Sequence, residues 1–346
     1  MEKLITFAVP CYNSAEYMDK CINSLLKAGD LAEIIIVNDG STKDNTKEIA
    51  DGYQSKYPGI IKAVHQENGG HGEAVNTGLK NATGLYFKVV DSDDWVDEQA
   101  LEKLLETIRK FTQEYKEFVK EAPDAIVVNY VYEHTLKNTT KIVEYKGQFP
   151  ENQPFTFEQT KPFPIGKFLA MHALIYKTQL LKDINLTLPK HTFYVDNVFV
   201  YTPMPLVKNF YYLNVDFYRY FIGREDQSVN EQIIMKRIDQ HVKVTEILIA
   251  SHDVIKIKEK SKKLYKYMLS FLSIMMTINS IYLIKIGTKE SMKIKKELWL
   301  KLKKDNVVVY KYCKRKFVGM ASSNCPFVCW ICKGIYNIAR KVFKFN

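Results

Sequence analysis

No secretory signal opens this chain: Met1-Glu2-Lys3 leads directly into a short strand-like stretch, residues 4–9, that stops at Pro10. A cytoplasmic protein is therefore expected. Cysteine is sparse, six in 346 residues, and disulfides are not expected in that compartment. Cys325, Cys329 and Cys332 have short spacings that zinc could use. No second pair lies elsewhere and Phe327 and Trp330 interleave, so zinc is not expected. Long apolar runs are also missing. Residues 268–284 are broken by Ser270, Ser273, Thr277 and Asn279, are short for a membrane span, and read as a buried or interfacial helix. No internal repeat or low-complexity tract is present. Nor does a G-x-G-x-x-G follow the first strand, where Val9-Pro10-Cys11-Tyr12-Asn13 stands, so a dinucleotide-dependent hydride-transfer enzyme is disfavoured.

Hydrophobic residues make up 46% and charged residues 26%, a balance that can bury a core and excludes a disordered chain. The length suits one large α/β domain with an appendage. The net charge of +11 is compatible with nucleic acid, an anionic membrane surface or an anionic substrate. Its location narrows the choice: residues 1–100 are nearly balanced, whereas 256–344 are crowded with Lys and Arg.

Apolar runs alternate with helical periodicity, giving strands at 4–9, 33–37, 61–65 and 85–90 and helices at 15–28, 45–56 and 73–81. That alternation predicts a mostly parallel sheet with helices on both faces, whose ligands bind beyond the C-terminal strand ends. A helix at 97–120, strands at 125–132 and 141–145, and a loop at 150–164 follow. Next come a strand at 167–176, a short helix at 177–184, a helix at 194–207 ending near Pro203 or Pro205, and two short strands within 209–222. After Asp226 the pattern turns to basic amphipathic helices, so the expected division is 1–226 and 227–346.

The polar clusters fall at the strand ends. Asp91-Ser92-Asp93-Asp94 crowds three carboxylates into four residues, which a hard divalent cation, Mg²⁺ or Mn²⁺, would relieve. A plain turn in which Asp94 or Asp97 caps the next helix is the alternative. Asn38-Asp39-Gly40-Ser41 brings a further carboxylate to the same edge, where it could accept from a nucleobase imide or a ribose hydroxyl, or cap the helix near Asn45.

Four segments in order, 9–13 (VPCYN), 36–42 (IVNDGST), 68–79 (NGGHGEAVNTGL) and 90–95 (VDSDDW), resemble the motifs of family 2 glycosyltransferases with the GT-A fold. The likeness is strong over 4–110 and weaker to about 228. It implies a metal-dependent, inverting transfer of one sugar from a nucleotide-diphosphate donor, of the uridine type, to a hydroxyl of a glycan or polyisoprenyl-linked acceptor. By that resemblance Tyr12 would lie against the base, with Pro10 on the donor side, and Asp39 would bind the uracil imide. Asp91 would meet the ribose or the metal shell beside Ser92, Asp93 would hold the Mn²⁺ or Mg²⁺, and Asp94 would support them. His71 stands near the place of a common basic residue and would contact the diphosphate, while Asn76 would fix loop geometry.

The general base of the family sits in a Glu-Asp pair opening a helix. Here Val195-Asp196 occupies that place, so Asp196 is the candidate base, with a helix cap as its alternative. Arg224 would reach the diphosphate or pair with Glu225 or Asp226. His172 and Trp95 could face the acceptor, although a satisfied core histidine is the simpler reading of His172. The Q-x-x-R-W element of processive synthases is absent, so one sugar per encounter is expected. Residues 311–345 mix Lys and Arg with Phe, Trp, Tyr and Ile, which suits a helix at an anionic membrane interface, or one docked on the catalytic domain. A peripheral protein at the inner face of the cell membrane follows; nucleic acid is not an expected partner. The competing classes are a sugar-phosphate nucleotidyltransferase and a noncatalytic, membrane-associated nucleotide-sugar-binding protein.

Overall fold

The computed structural model describes residues 3–118, 122–134, 139–164, 166–223 and 231–343. They form two compact units, residues 1–162 with 169–223, and residues 163–168 with 224–346.

The first unit opens with β1 (Ile5–Cys11), α1 (Met18–Leu26), β2 (Ala32–Asp39), α2 (Thr46–Lys56), β3 (Ile61–Gln66), α3 (His71–Asn81) and β4 (Tyr86–Val89). These four strands are parallel, in the order β3-β2-β1-β4. Helices cover both faces of such a sheet, so its inner strands read as unbroken aliphatic runs: Ile34, Ile35, Ile36 and Val37 have no exposed surface. Next come β5 (Trp95–Val96), α4 (Glu98–Phe118), β6 (Ala125–His134), β7 (Thr139–Val143) and β8 (Pro154–Phe155). The unit ends with β9 (Leu174–Lys177), α5 (Thr178–Asp183), α6 (Asp196–Tyr201) and β10 (Phe210–Ile222). The sheet continues β4-β9-β6-β10-β5, with β9 antiparallel to β4 and β6, and β10 parallel to β6. This mixed α/β sheet is the expected fold class.

Several elements differ from the expectation, and the loop expected over 150–164 contains β8 and a 3₁₀ turn at Phe157–Gln159. The strand expected over 167–176 is confined to β9; Met171–Ala173 form a 3₁₀ turn instead, because the Lys88 ammonium gathers its carbonyls. The helix at 194–207 lasts only through α6 before a 3₁₀ turn at Met204–Leu206, since Pro203 and Pro205 lack the N–H that a longer helix needs. The two short strands within 209–222 are one strand, β10, whose register shifts between Tyr212 and Tyr218. Its polar residues Asn214 and Asp216 are absorbed at that bulge, where both accept from Asn129 Nδ2, at 2.8 and 3.0 Å.

The second unit is helical: α7 (Glu231–Lys236), α8 (Ile238–Ser251), α9 (Val254–Lys260), α10 (Lys262–Ile286), α11 (Lys289–Asp305), α12 (Val307–Lys314), α13 (Val318–Ala321) and α14 (Pro326–Phe343). Among the described residues, α10 alone is long and apolar enough to cross a membrane by length and composition, and 67% of that apolar stretch is buried. Its polar residues are matched inside the unit. Asn279 Nδ2 donates to Thr245 Oγ1 at 2.7 Å, His241 Nδ1 lies 3.0 Å from Asn279 Oδ1, and Trp299 Nε1 donates to Ser280 Oγ at 3.0 Å. Cys329 and Cys332 of α14 pack with Ile281, Ile284 and Ala321.

Candidate active site

The loops after β1, β2 and β3 are stitched together by short polar side chains. Asn13, at φ +50°, donates its N–H to Ser41 Oγ (2.9 Å), and its Oδ1 accepts from the N–H groups of Thr42 and Lys43 (3.2 and 3.1 Å). Tyr12 projects from this loop with half its surface exposed, whereas Pro10 is buried in the end of β1. Asp44, one residue before the cap position Asn45, accepts from the Thr46 N–H at the start of α2 at 3.1 Å, and Asp39 takes no part there.

Asp39 is buried, and its carboxylate is the anchor of the Gly-rich turn. Oδ1 accepts from Gln66 Nε2 at 2.7 Å and Gly69 N–H at 2.8 Å, and Oδ2 accepts from Gly70 N–H at 2.8 Å. Gly70 has φ +83°, a backbone conformation that favours glycine, and a Cβ there would lie tightly against the backbone nitrogen of His191, at 3.0 Å. The same contact is closed by His191 N–H donating to Gly69 O at 2.7 Å. Asn76 completes the seam, with Nδ2 donating to Leu188 O (2.9 Å) and Oδ1 accepting from Leu188 N–H (2.8 Å). The turn that starts α3 is thereby bound to the segment that leads into α6.

Asp91 lies just past β4 and is partly buried. His71, the first residue of α3, sets Nε2 2.7 Å from Asp91 Oδ1, and His172 Nε2 stands 3.9 Å from Oδ2. Burial favours the neutral acid, but His71, with His172 and Lys88, outweighs it and holds the Asp91 carboxyl below its ordinary range. Conversely, burial would lower the His71 imidazole; Asp91, then Asp196 and Asp93, raise it above its ordinary value. His172 is held down to about 4 by burial, against Asp91, so it is neutral at pH 7.

Ser92 Oγ donates to Ser14 Oγ at 2.9 Å, tying this turn to the one after β1. Asp93 is half-buried, and its field acts on both His71 and Asp94. Asp94 faces inward: Tyr218 Oη donates to Oδ2 at 2.6 Å and Phe221 N–H to Oδ1 at 2.8 Å. Burial, then Asp93 and Asp91, push its carboxyl well up. The cap of α4 is Asp97, whose Oδ1 accepts from Ala100 N–H at 3.1 Å. Trp95 pairs with Arg219 across β5 and β10 and lies under Lys20 Nζ, 2.9 Å from its ring centroid.

Asp196 opens α6 at its first helical position, with Val195 at the cap position. The residue before that cap, Tyr194, has φ +65°, a costly conformation for an aromatic residue and one found where structure around a site imposes it. Asn197 Nδ2 braces it by donating to Tyr194 O at 3.1 Å, and reaches Asp196 Oδ1 at 3.2 Å. Burial raises the Asp196 carboxyl above its ordinary value, with His71 opposing. Arg224 lies outside the described residues.

Donor atoms of Asp91, Asp94 and His172 lie within 4.8 Å of one another, a grouping that could hold a metal ion. Asp94 already accepts from Tyr218 and Phe221, and Asp91 and Asp93 stand on the same turn beside it. Oxygen donors of that kind, with the neutral His172 beside them, fit a hard divalent ion that completes its shell with phosphate and water.

Sequence reasoning missed Lys88 and the aromatic wall around His172, formed by Tyr130, Tyr218 and Tyr220, with ring centroids at 5.6, 4.8 and 4.6 Å. A usable signal was present: Lys88 interrupts an otherwise apolar buried strand, Tyr86-Phe87-Lys88-Val89.

The Glycosyl transferase family 2 model matches residues 6–183, just over half of the 346 residues. The chain is 44% identical over 108 residues to the uncharacterized glycosyltransferase EpsJ of Bacillus subtilis, covering 31% of this chain and 30% of that protein. It is 37% identical over 132 residues to the glycosyltransferase GlyG of Streptococcus pneumoniae, covering 38% and 40%. The matched segments thus span less than half of these curated relatives. Among solved structures, TarS of S. aureus (residues 1–349, with UDP-GlcNAc) aligns with TM-score 0.68 at 18% identity, over 97% of this chain and 92% of that one. The mannosyltransferase PcManGT of Pyrobaculum calidifontis, with GDP-Man and Mn²⁺, aligns with TM-score 0.51 at 13% identity, over 98% and 88%. These likenesses show a shared GT-A fold, and the match of the family model across the β1–β9 region shows that the chain belongs to glycosyltransferase family 2.

Proposed function

We propose that this chain transfers a single sugar, with inversion, from a nucleotide-diphosphate sugar of the uridine type to a hydroxyl of a glycan or lipid-linked acceptor. The observation that carries this reading is the meeting of the Asp91–Asp93 turn, His71 and Asp196 at one sheet edge, although they are far apart in the chain. The bound UDP-GlcNAc of the similarly folded TarS supports the donor class, and family 2 membership favours glycosyl transfer over nucleotidyl chemistry.

In this reading Asp196 takes the proton of the acceptor hydroxyl as that oxygen attacks the anomeric carbon. The bond to the diphosphate breaks on the opposite face, and its electron pair leaves with the diphosphate oxygen. A carboxyl raised above its ordinary value is the stronger base for that step. Tyr12 and the loop held by Asp39 receive the nucleotide, and His71 meets the diphosphate as a cation. Asp91 and Asp93 would hold Mn²⁺ or Mg²⁺, which when bound supplies charge neutralisation for the leaving group. His172 and Trp95 lie on the acceptor side.

The transfer chemistry is assigned to residues 1–226, and contact with an anionic membrane surface to 227–346. The support for the latter is α14, where Phe327, Trp330 and Ile338 are 67%, 71% and 64% exposed on one side of a helix that also carries Lys333 and Arg340.

A screen of UDP-, GDP- and TDP-sugars with Mn²⁺, Mg²⁺ or EDTA, read as release of nucleoside diphosphate, tests the transferase reading. Metal-stimulated release from a UDP-sugar is expected, with the product's anomeric configuration inverted by NMR. Retention of configuration, or no release from any donor, would overturn it.

A further inference from the structure

Lys88 has no exposed surface, and the transfer chemistry above makes no use of it. An ammonium removed from water costs several kcal/mol unless its donors are satisfied. Here they converge on one short segment: Met171 O at 2.9 Å, His172 O at 2.6 Å and Leu174 O at 3.3 Å. These carbonyls belong to the 3₁₀ turn before β9 and to the first residue of that strand. An apolar residue at position 88 would leave them facing the sheet interior without that donor. The ammonium also stands 4.8 Å from the ring centroid of Tyr218, whose hydroxyl accepts from Asp91 N–H at 3.2 Å and donates to Asp94. The turn held in this way carries His172, whose ring is walled by Tyr130, Tyr218 and Tyr220 and whose Nε2 faces Asp91.

We propose that Lys88 is a positioning residue: by gathering three carbonyls of residues 171–174 on one ammonium, it fixes the turn that sets His172 against Asp91 on the acceptor side. Lys88 touches no reacting atom and acts on the rate through His172. The kinetic readout rests on the transferase reading above.

A double-mutant cycle tests it. Lys88→Met keeps most of the side-chain length but removes the donors that the Met171, His172 and Leu174 carbonyls use, at some cost in stability. A displaced site group can cost about 10²-fold in rate, so Lys88→Met should lower transfer kcat by up to that factor while the donor KM changes little. His172→Ala should show a comparable fall, and adding Lys88→Met to it should cost nothing further. Transfer at the parental rate in Lys88→Met, or losses that multiply in the double variant, would overturn the proposal. Should Lys88→Met not fold, Lys88→Arg, which keeps the charge but not the shape, enters the same cycle. A second measurement needs no turnover. The His172 Cε1–H resonance, sensitive to the rings of Tyr218 and Tyr220, should shift in the Lys88 variant, and an unmoved resonance contradicts the idea. A parent chain that cleaves no nucleotide sugar would sink the transferase reading and leave this spectroscopic test standing.

Discussion

At the residue scale, the carboxylates after β4 divide by the direction in which they point. Asp94 faces inward to Tyr218 and the Phe221 N–H, whereas Asp91 faces His71 and His172. Asp93→Ala should abolish metal-stimulated transfer and leave the melting temperature within a degree or two, since a half-buried turn residue contributes little to the core. Full activity in that variant would remove Asp93 from the metal site. Asp196→Asn keeps shape and hydrogen bonding but cannot take the acceptor's proton, so kcat should fall by about 10² to 10⁴ with the donor KM nearly unchanged. The acid limb of the pH–rate profile belongs to the same group. Its carboxyl is raised, so activity should be lost on acidification at a pH above the ordinary carboxylate range, and Asp196→Asn should lack that limb.

At the element scale, the turn between β3 and α3 is held by a carboxylate rather than by its own sequence. Asp39→Ala orphans the Gly69 and Gly70 N–H groups and Gln66 Nε2, and an unmade buried hydrogen bond costs about 1–3 kcal/mol. Because this turn is bonded to the segment leading into Asp196, donor KM should rise, kcat should fall with it, and the melting temperature should drop. A KM effect alone would show that the turn keeps its place without Asp39. In the helical unit, α8 and α10 meet at His241 and Asn279. Burial holds His241 neutral, with its pKa down from 6.5 to about 4. The unfolded chain therefore binds a proton that the folded one refuses between those values, and stability falls as pH drops through that window. The loss is at most about 3 kcal/mol. Urea midpoints at pH 7.5 and 5 for the parent and His241→Gln check this; an equal acid loss in both would assign it to other groups.

At the scale of the whole molecule, the basic-aromatic character gathers in the helical unit. Deleting residues 311–346 is a poor test of membrane contact, because it strips Cys313, Ala321 and Cys332 from the core of that unit. Changing the exposed face is cleaner. Phe327→Ser with Trp330→Ser should reduce pelleting with phosphatidylserine-containing vesicles while donor hydrolysis persists, and raised salt should weaken the parent's binding. Equal pelleting of parent and variant would leave α14 as a purely structural helix.

The alternation of aliphatic strands and helices in the first ninety residues, and the polar clusters at the strand ends, were readable from sequence because both arise locally, from side-chain periodicity and turn chemistry. The family resemblance rests on the same local motifs. Three features depended on contacts between distant segments and were not readable. His172 sits on a turn rather than in a strand because Lys88, more than eighty positions earlier, collects its carbonyls. Asp39 anchors a turn about thirty residues downstream. Asp91 is flanked by His71 and His172 because α3 begins, and the segment before β9 turns, beside the residues that follow β4. A residue type and its neighbours determine what a side chain can donate, accept or ionise; which partner it meets is decided only when the sheet closes and the alternative partners are buried elsewhere.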